Sequence, residues 1–153
     1  MHKRARSWSN WLALSILLLI VGAGGASFAG SQQSQSDKRG LKNEVSVLKS
    51  QAGVGRLVAE QALAGGLTRT YVEAQSEQMS KAVEKTLPGL SPDRFEPGLN
   101  TQVMQAADLA RRLGGALKSL RGAGAERRAA ESARDNLGGL YEELSQLEES
   151  LKE

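Results

Sequence analysis

Leu41, Val45, Leu48, Ala52, Gly55 and Ala59 recur at alternating steps of four and three residues, and so do Leu99, Val103, Ala106, Ala110, Leu113, Leu117 and Leu120. Ala130, Ala133, Leu137, Leu140, Leu144, Leu147 and Leu151 keep the same rhythm. A helix turns once in about 3.6 residues, so each set lies along one side of a helix and leaves the rest of the circumference polar. A weaker set is Val72, Ser76, Met79 and Val83. A half-buried strand would need period two, and no stretch between turn residues shows it. The spacing therefore predicts an all-α fold whose stripes pack on one another as a coiled coil or helical bundle. The composition from residue 37 onward agrees: Ala, Leu, Glu, Gln, Lys and Arg dominate, all strong helix formers.

The breaks in the pattern set the number of helices. Pro88, Pro92 and Pro97 are the only prolines, and a proline lacks the N–H of the helix ladder and disfavours helix before it. Residues 88–98 are thus a hinge within a 37–153 helical domain. Gly65-Gly66 interrupts the first arm and Gly122-Ala123-Gly124 the second. The stripe of 99–120, if continued, reaches 124, 127 and 131, whereas the last helix uses 130, 133 and 137. That phase slip predicts a turn near 122–124. Four helices follow, at about 38–64, 67–87, 99–121 and 125–151, in an antiparallel bundle. A long helical hairpin of two continuous arms is the alternative. The pairs Gly114-Gly115 and Gly138-Gly139 sit inside helices, where each glycine costs about 1 kcal/mol relative to Ala. Close helix contact and simple flexibility both account for them.

The first residues carry an address rather than a fold. Lys3, Arg4 and Arg6 precede an uncharged stretch, Trp11 to Ala29, whose centre is an unbroken Leu/Ile core. A basic flank before such a core marks residues 1–29 as a signal-anchor or signal peptide. The positive-inside rule keeps the basic flank in the cytoplasm and sends residues 30–153 outward. Uncleaved, residues 11–29 hold the chain in a lipid bilayer as a single-pass inner-membrane protein. Cleaved after Ser27-Phe28-Ala29, the remainder is periplasmic or secreted. Gly30 to Ser36 has no apolar side chain to bury and is expected to be a flexible polar connector.

Charge and residue chemistry exclude several functions. The chain has 20 Lys+Arg and 17 Asp+Glu, and without Lys3, Arg4 and Arg6 the two signs are equal in number. There is no Cys, and the one His is His2, so thiolate and Ser-His-Asp catalysis are absent from the body. No phosphate loop follows a strand. No catalytic, cofactor-binding or metal-binding residue is assigned, and no enzyme activity is expected. Arg111, Arg112, Lys118, Arg121, Arg127 and Arg128 form a basic stretch, while residues 140–153 are acidic. An anionic partner such as lipid headgroups or a cell-wall polymer would suit the basic stretch. The favoured reading is pairing of basic with acidic helices within or between chains, helped by i,i+4 couples such as Asp108/Arg112, Glu77/Lys81 and Glu148/Lys152. Nucleic acid is not expected, since no aromatics are interleaved.

Gln51-Ala52-Gly53-Val54-Gly55-Arg56-Leu57-Val58-Ala59-Glu60-Gln61 resembles the Ala-Gly…Arg…Gln helix of pilus-type chemoreceptor sensory domains; no ligand position is carried over. An N-terminal anchor followed by an extracytoplasmic coiled coil is similar in layout to inner-membrane phage spanins. The sequence thus predicts a membrane-tethered envelope protein that acts through helix–helix protein interactions or self-association. Leu137, Leu140, Leu144, Leu147 and Leu151 are its packing or self-association seam. The alternative is a periplasmic sensory bundle that holds a small ligand between helices.

Overall fold

The computed structural model describes residues 33–123 and 126–152. The expected leader, 1–29, and the first part of the connector lie outside the described residues. Four α-helices carry the chain: α1 (Gln33–Leu63), α2 (Arg69–Thr86), α3 (Asn100–Gly122) and α4 (Arg127–Ser150). Among the described residues there is no strand, and no helix is long and apolar enough to cross a membrane. The four-helix reading holds and the two-helix hairpin does not. One boundary is corrected: α1 begins at Gln33, so residues 33–36, expected in the flexible connector, are helical. No Gly or Pro separates Gln33 from Arg39, so nothing stops the helix from extending there.

Each break has a local cause. Gly65 has φ 71°, a backbone that a side chain resists, and it ends α1. Its N–H donates to the Ala62 carbonyl at 3.0 Å, and the Gly66 N–H donates to the Gln61 carbonyl at 2.9 Å. This pair of bonds is a Schellman cap. Thr68 then opens α2, its hydroxyl accepting from the Tyr71 N–H at 3.3 Å. The expected hinge is three single turns of 3-10 helix, Leu87–Gly89, Pro92–Arg94 and Pro97–Leu99, each with its proline near the start. Proline tolerates that position because the N–H it lacks is unpaired in a first turn.

The helices run in sequence around the bundle, α4 closing against α1. The α1–α4 pair is the most extensive contact and α1–α2 the least extensive of the four neighbouring pairs. Every residue of the four stripes is buried, including Ser76 and Gly55. The buried face of α3 is wider than its stripe, adding Ala107, Leu109, Gly114 and Ala116, because α3 packs against α1, α2 and α4. Leu137, Leu140, Leu144, Leu147 and Leu151 are at most 3 % exposed. They fill the chain's own core and present nothing to a second copy. Glycine is required at one point above all: a Cβ on Gly55 would stand 2.9 Å from Leu117 Cδ2 and 3.3 Å from Leu137. The paired glycines divide, for Gly114 and Gly138 face neighbouring side chains while Gly115 and Gly139 meet open space.

Candidate functional site

The two sides of α1 set out the geometry. Lys42, Lys49 and Arg56 are seven residues apart and turn toward α4: Lys49 pairs with Glu148, and Arg56 lies beside Gly138. Glu44, Gln51 and Val58 share another heptad position and turn the opposite way, with Glu44 against Gly89 at the end of the α2 arm. The inward side of the stretch Gln51–Gln61 therefore packs against the other helices. Tyr141 covers Gly53, Leu117 and Leu137 press on Gly55, and Arg56 pairs with Glu60 at 3.2 Å.

The basic residues do not form one surface. Arg112 turns toward α4 and makes two hydrogen bonds of 2.7 Å to the Glu143 carboxylate. That bidentate bond raises the Arg112 pKa and holds the Glu143 carboxyl below its ordinary value. Lys118 and Arg121 turn the other way, to Glu84 at 3.1 Å and Glu77 at 3.7 Å on α2. The hydrogen bond from Lys81, with the charges of Lys81 and Arg121, lowers the Glu77 pKa. Arg127 pairs within α4, to Glu131 at 3.0 Å. Arg111 and Arg128 are exposed and make no ion pair among the described residues. The expected i,i+4 couple Glu77/Lys81 forms at 2.8 Å. Arg112 instead bonds Glu143, and Lys152 bonds Glu149 at 2.5 Å. Basic α3 is thus flanked by acids of α2 and α4, and four of the six residues of the expected anionic-partner patch are satisfied inside the chain.

Two features remain open. At the end of the bundle where α1 leads into α2 and α3 into α4, a cleft of about 240 Å³ lies over Ala62, Leu63, Leu67, Val72, Leu120 and Ala130. Arg69, Glu126 and Arg127 stand at its rim. Among the described residues no group of three or more His, Cys, Asp or Glu gathers to hold a metal.

The second feature is the solvent side of α1. Between Asn43 and Gln61 its exposed positions are Asn43, Val47, Ser50, Leu57 and Gln61, and half-buried Val54 lies in line with them. Val47 is 36 % and Leu57 43 % exposed; among the described large apolar side chains only Met104, alone on α3, is also exposed. None of these residues is charged, while the exposed faces of α2, α3 and α4 all carry charge. The stripe was legible as a second four-three series, 43-47-50-54-57-61, in register beside the inner one. Its polar members, Asn43, Ser50 and Gln61, hid it from a search for apolar seams. No known protein family, curated protein or solved structure matches this chain.

Proposed function

We propose that this chain is an exported helical bundle, tethered to a membrane through residues 11–29, that acts through helix–helix contact with a protein partner in the cell envelope. The observation that carries the contact is the uncharged outer stripe of α1, with Val47 and Leu57 exposed on it. Burying such a stripe removes apolar surface from water without stripping solvent from an ion. The placement of Lys3, Arg4 and Arg6 before an uncharged run supports the location. The reading assigns no catalytic chemistry and no nucleic acid. Fractionation of cells together with the mass of the mature chain tests the location: full-length protein in the membrane fraction is expected. A soluble cytoplasmic chain overturns the tether.

The cleft favours a second reading, a sensory bundle with a small ligand between the helix ends. Its floor is apolar and its rim carries polar groups, the usual make-up of a ligand pocket. A thermal-shift screen of small amphiphiles against the purified chain tests it. A ligand at a hundred times its Kd adds about 2.7 kcal/mol. An Ala62→Trp variant, which fills the cleft, should abolish any such shift.

A further inference from the structure

We infer that the outer stripe of α1 pairs with the same stripe of a second copy of this chain, parallel and in register. This rests on the helix–helix reading above and names its partner. The four-three spacing fixes the heptad: Val47, Val54 and Gln61 take the a positions, and Asn43, Ser50 and Leu57 the d positions. Val47 and Val54 at a with Leu57 at d follow the choice that favours parallel two-stranded coiled coils, while Asn43, Ser50 and Gln61 are polar. A parallel copy sets Val47 on Val47, Val54 on Val54 and Leu57 on Leu57, so every apolar residue meets its own kind. Asn43 meets Asn43, and the paired side-chain amides across the dyad can hydrogen-bond to each other.

Electrostatics and chain direction point to the same occupant. The stripe has no charge from Asn43 to Gln61, so two copies approach without like-charge repulsion along it. The Lys42, Lys49 and Arg56 side of α1 is turned to α4, where Glu148 takes Lys49. At about 1.5 Å per residue the paired stretch is about 27 Å long, from the Asn43 layer to the Gln61 layer. A parallel pair starts both α1 helices at one end, which suits the membrane tether proposed above. The polar d positions keep the pair weak, and concentration in a membrane compensates. The seam expected for self-association, Leu137 to Leu151, is spent on the intrachain core. Self-association moves to a helix face that the core does not use.

The chain has no Cys, so single cysteines report the pairing directly. Full-length protein purified in detergent micelles, carrying Val47→Cys or Leu57→Cys, should cross-link to itself on oxidation. Ser132→Cys, on the exposed face of α4, is the control and should stay monomeric. Val47→Lys with Leu57→Lys should weaken the dimer at least about tenfold in sedimentation, while the circular dichroism of the exposed-site variant stays unchanged. Cross-linking only between Val47→Cys and Leu57→Cys chains means an antiparallel pair and overturns the parallel assignment. A monomer at all concentrations, or a different protein held on the stripe, overturns self-pairing. In the latter case the partner reading survives, and fractionation separately decides the tether.

Discussion

Helices α2 and α4 follow the same heptad rhythm but bury different chemistry. The buried face of α4 is Ala130, Ala133, Leu137, Leu140, Leu144 and Leu147, all apolar. That of α2 is Val72, Ser76, Met79, Ser80, Val83 and Thr86, half of it polar. Thr86 returns its hydroxyl to the Ala82 carbonyl at 3.2 Å, but Ser76 Oγ and Ser80 Oγ are buried without a partner. So is Gln51 Oε1, on the side of α1 that turns from α4. Asn100 Oδ1 and Gln102 Oε1, in the first turn after the hinge, complete the set of such atoms among the described residues. None lies on α4. Period alone therefore places a helix against a core, and what fills the period decides how firmly it is held. Each orphaned buried polar group costs about 1–3 kcal/mol, so α2, with two of them and a half-polar buried face, is expected to open before α4.

The largest effect tests the firm side. Leu144 is fully buried, and Leu144→Ala should cost about 2–5 kcal/mol in urea unfolding followed by circular dichroism. A loss below about 1 kcal/mol would mean that α4 is no better anchored than α2. Next comes the closest approach in the bundle. Gly55→Ala puts a methyl 2.9 Å from Leu117 Cδ2, and should cost about 1–3 kcal/mol by pushing α1 off α3 and α4. Such a variant narrows the difference between the two sides of α1, so α4 amides should then exchange hydrogen nearly as fast as those of α2.

How far the sequence foretold this follows from what a repeat can and cannot encode. Every stripe residue of α1, α3 and α4 is in the core, because Leu and Ala at heptad spacing have one good place to go, but Val58 on α1 and Ala107, Leu109 and Ala116 on α3 are buried outside the stripes. The prolines marked the hinge and Gly65-Gly66 the end of α1, whereas Gly114-Gly115 and Gly138-Gly139 stay inside helices, so it is the break in the stripe beside a glycine that marks a joint. The orphaned hydroxyls were present in the series Val72, Ser76, Met79, Val83, yet whether a serine finds a partner depends on its neighbours in space. Charge pairing was legible within a helix at Glu77/Lys81, but between helices only as complementarity and not as partners. Arg112 had Asp108 at helical spacing, yet the α3–α4 register brought it Glu143. The α1 outer stripe carries little signal in the sequence because a face made of Asn, Ser, Val, Leu and Gln is ordinary in composition. Only its exposure and lack of charge set it apart.

A smaller effect sharpens the soft side of the comparison. Ser76→Ala removes a buried hydroxyl that has no partner and leaves a better helix former, so it should stabilise the chain by about 1 kcal/mol. Hydrogen exchange should slow in α2 and stay unchanged in α4. Destabilisation by Ser76→Ala would show that the hydroxyl is satisfied, by water or by the backbone, and that α2 is firmer than its composition implies.

The smallest effect is a pair of carboxylates with opposite signs, one on each side of the same contrast. Glu143 on α4 is held below the ordinary value of 4.5 by its hydrogen bonds from Arg112. Its contribution is present above 4.5 and is lost as pH falls through the lowered folded value. Both partners are nearly half exposed, so the pair is worth only about 0.2–1 kcal/mol and weakens with salt. Glu44 faces the hinge that follows α2, and burial raises its pKa above 4.5 while Arg94 partly opposes the shift. Its protonated form is the one the fold prefers. That preference is fully expressed below 4.5 and lost as pH rises through the raised folded value, so the ionised group at neutral pH is a burden. Glu143→Gln should therefore destabilise the chain at pH 7, whereas Glu44→Gln should stabilise it. The gap between them should close on acidification, read as the difference in urea midpoint between the two variants from pH 7 to pH 3. If both variants shift the midpoint in one direction at pH 7, the hinge beside α2 is as well solvated as the surface of α4, and the electrostatic part of the contrast fails while the packing part stands.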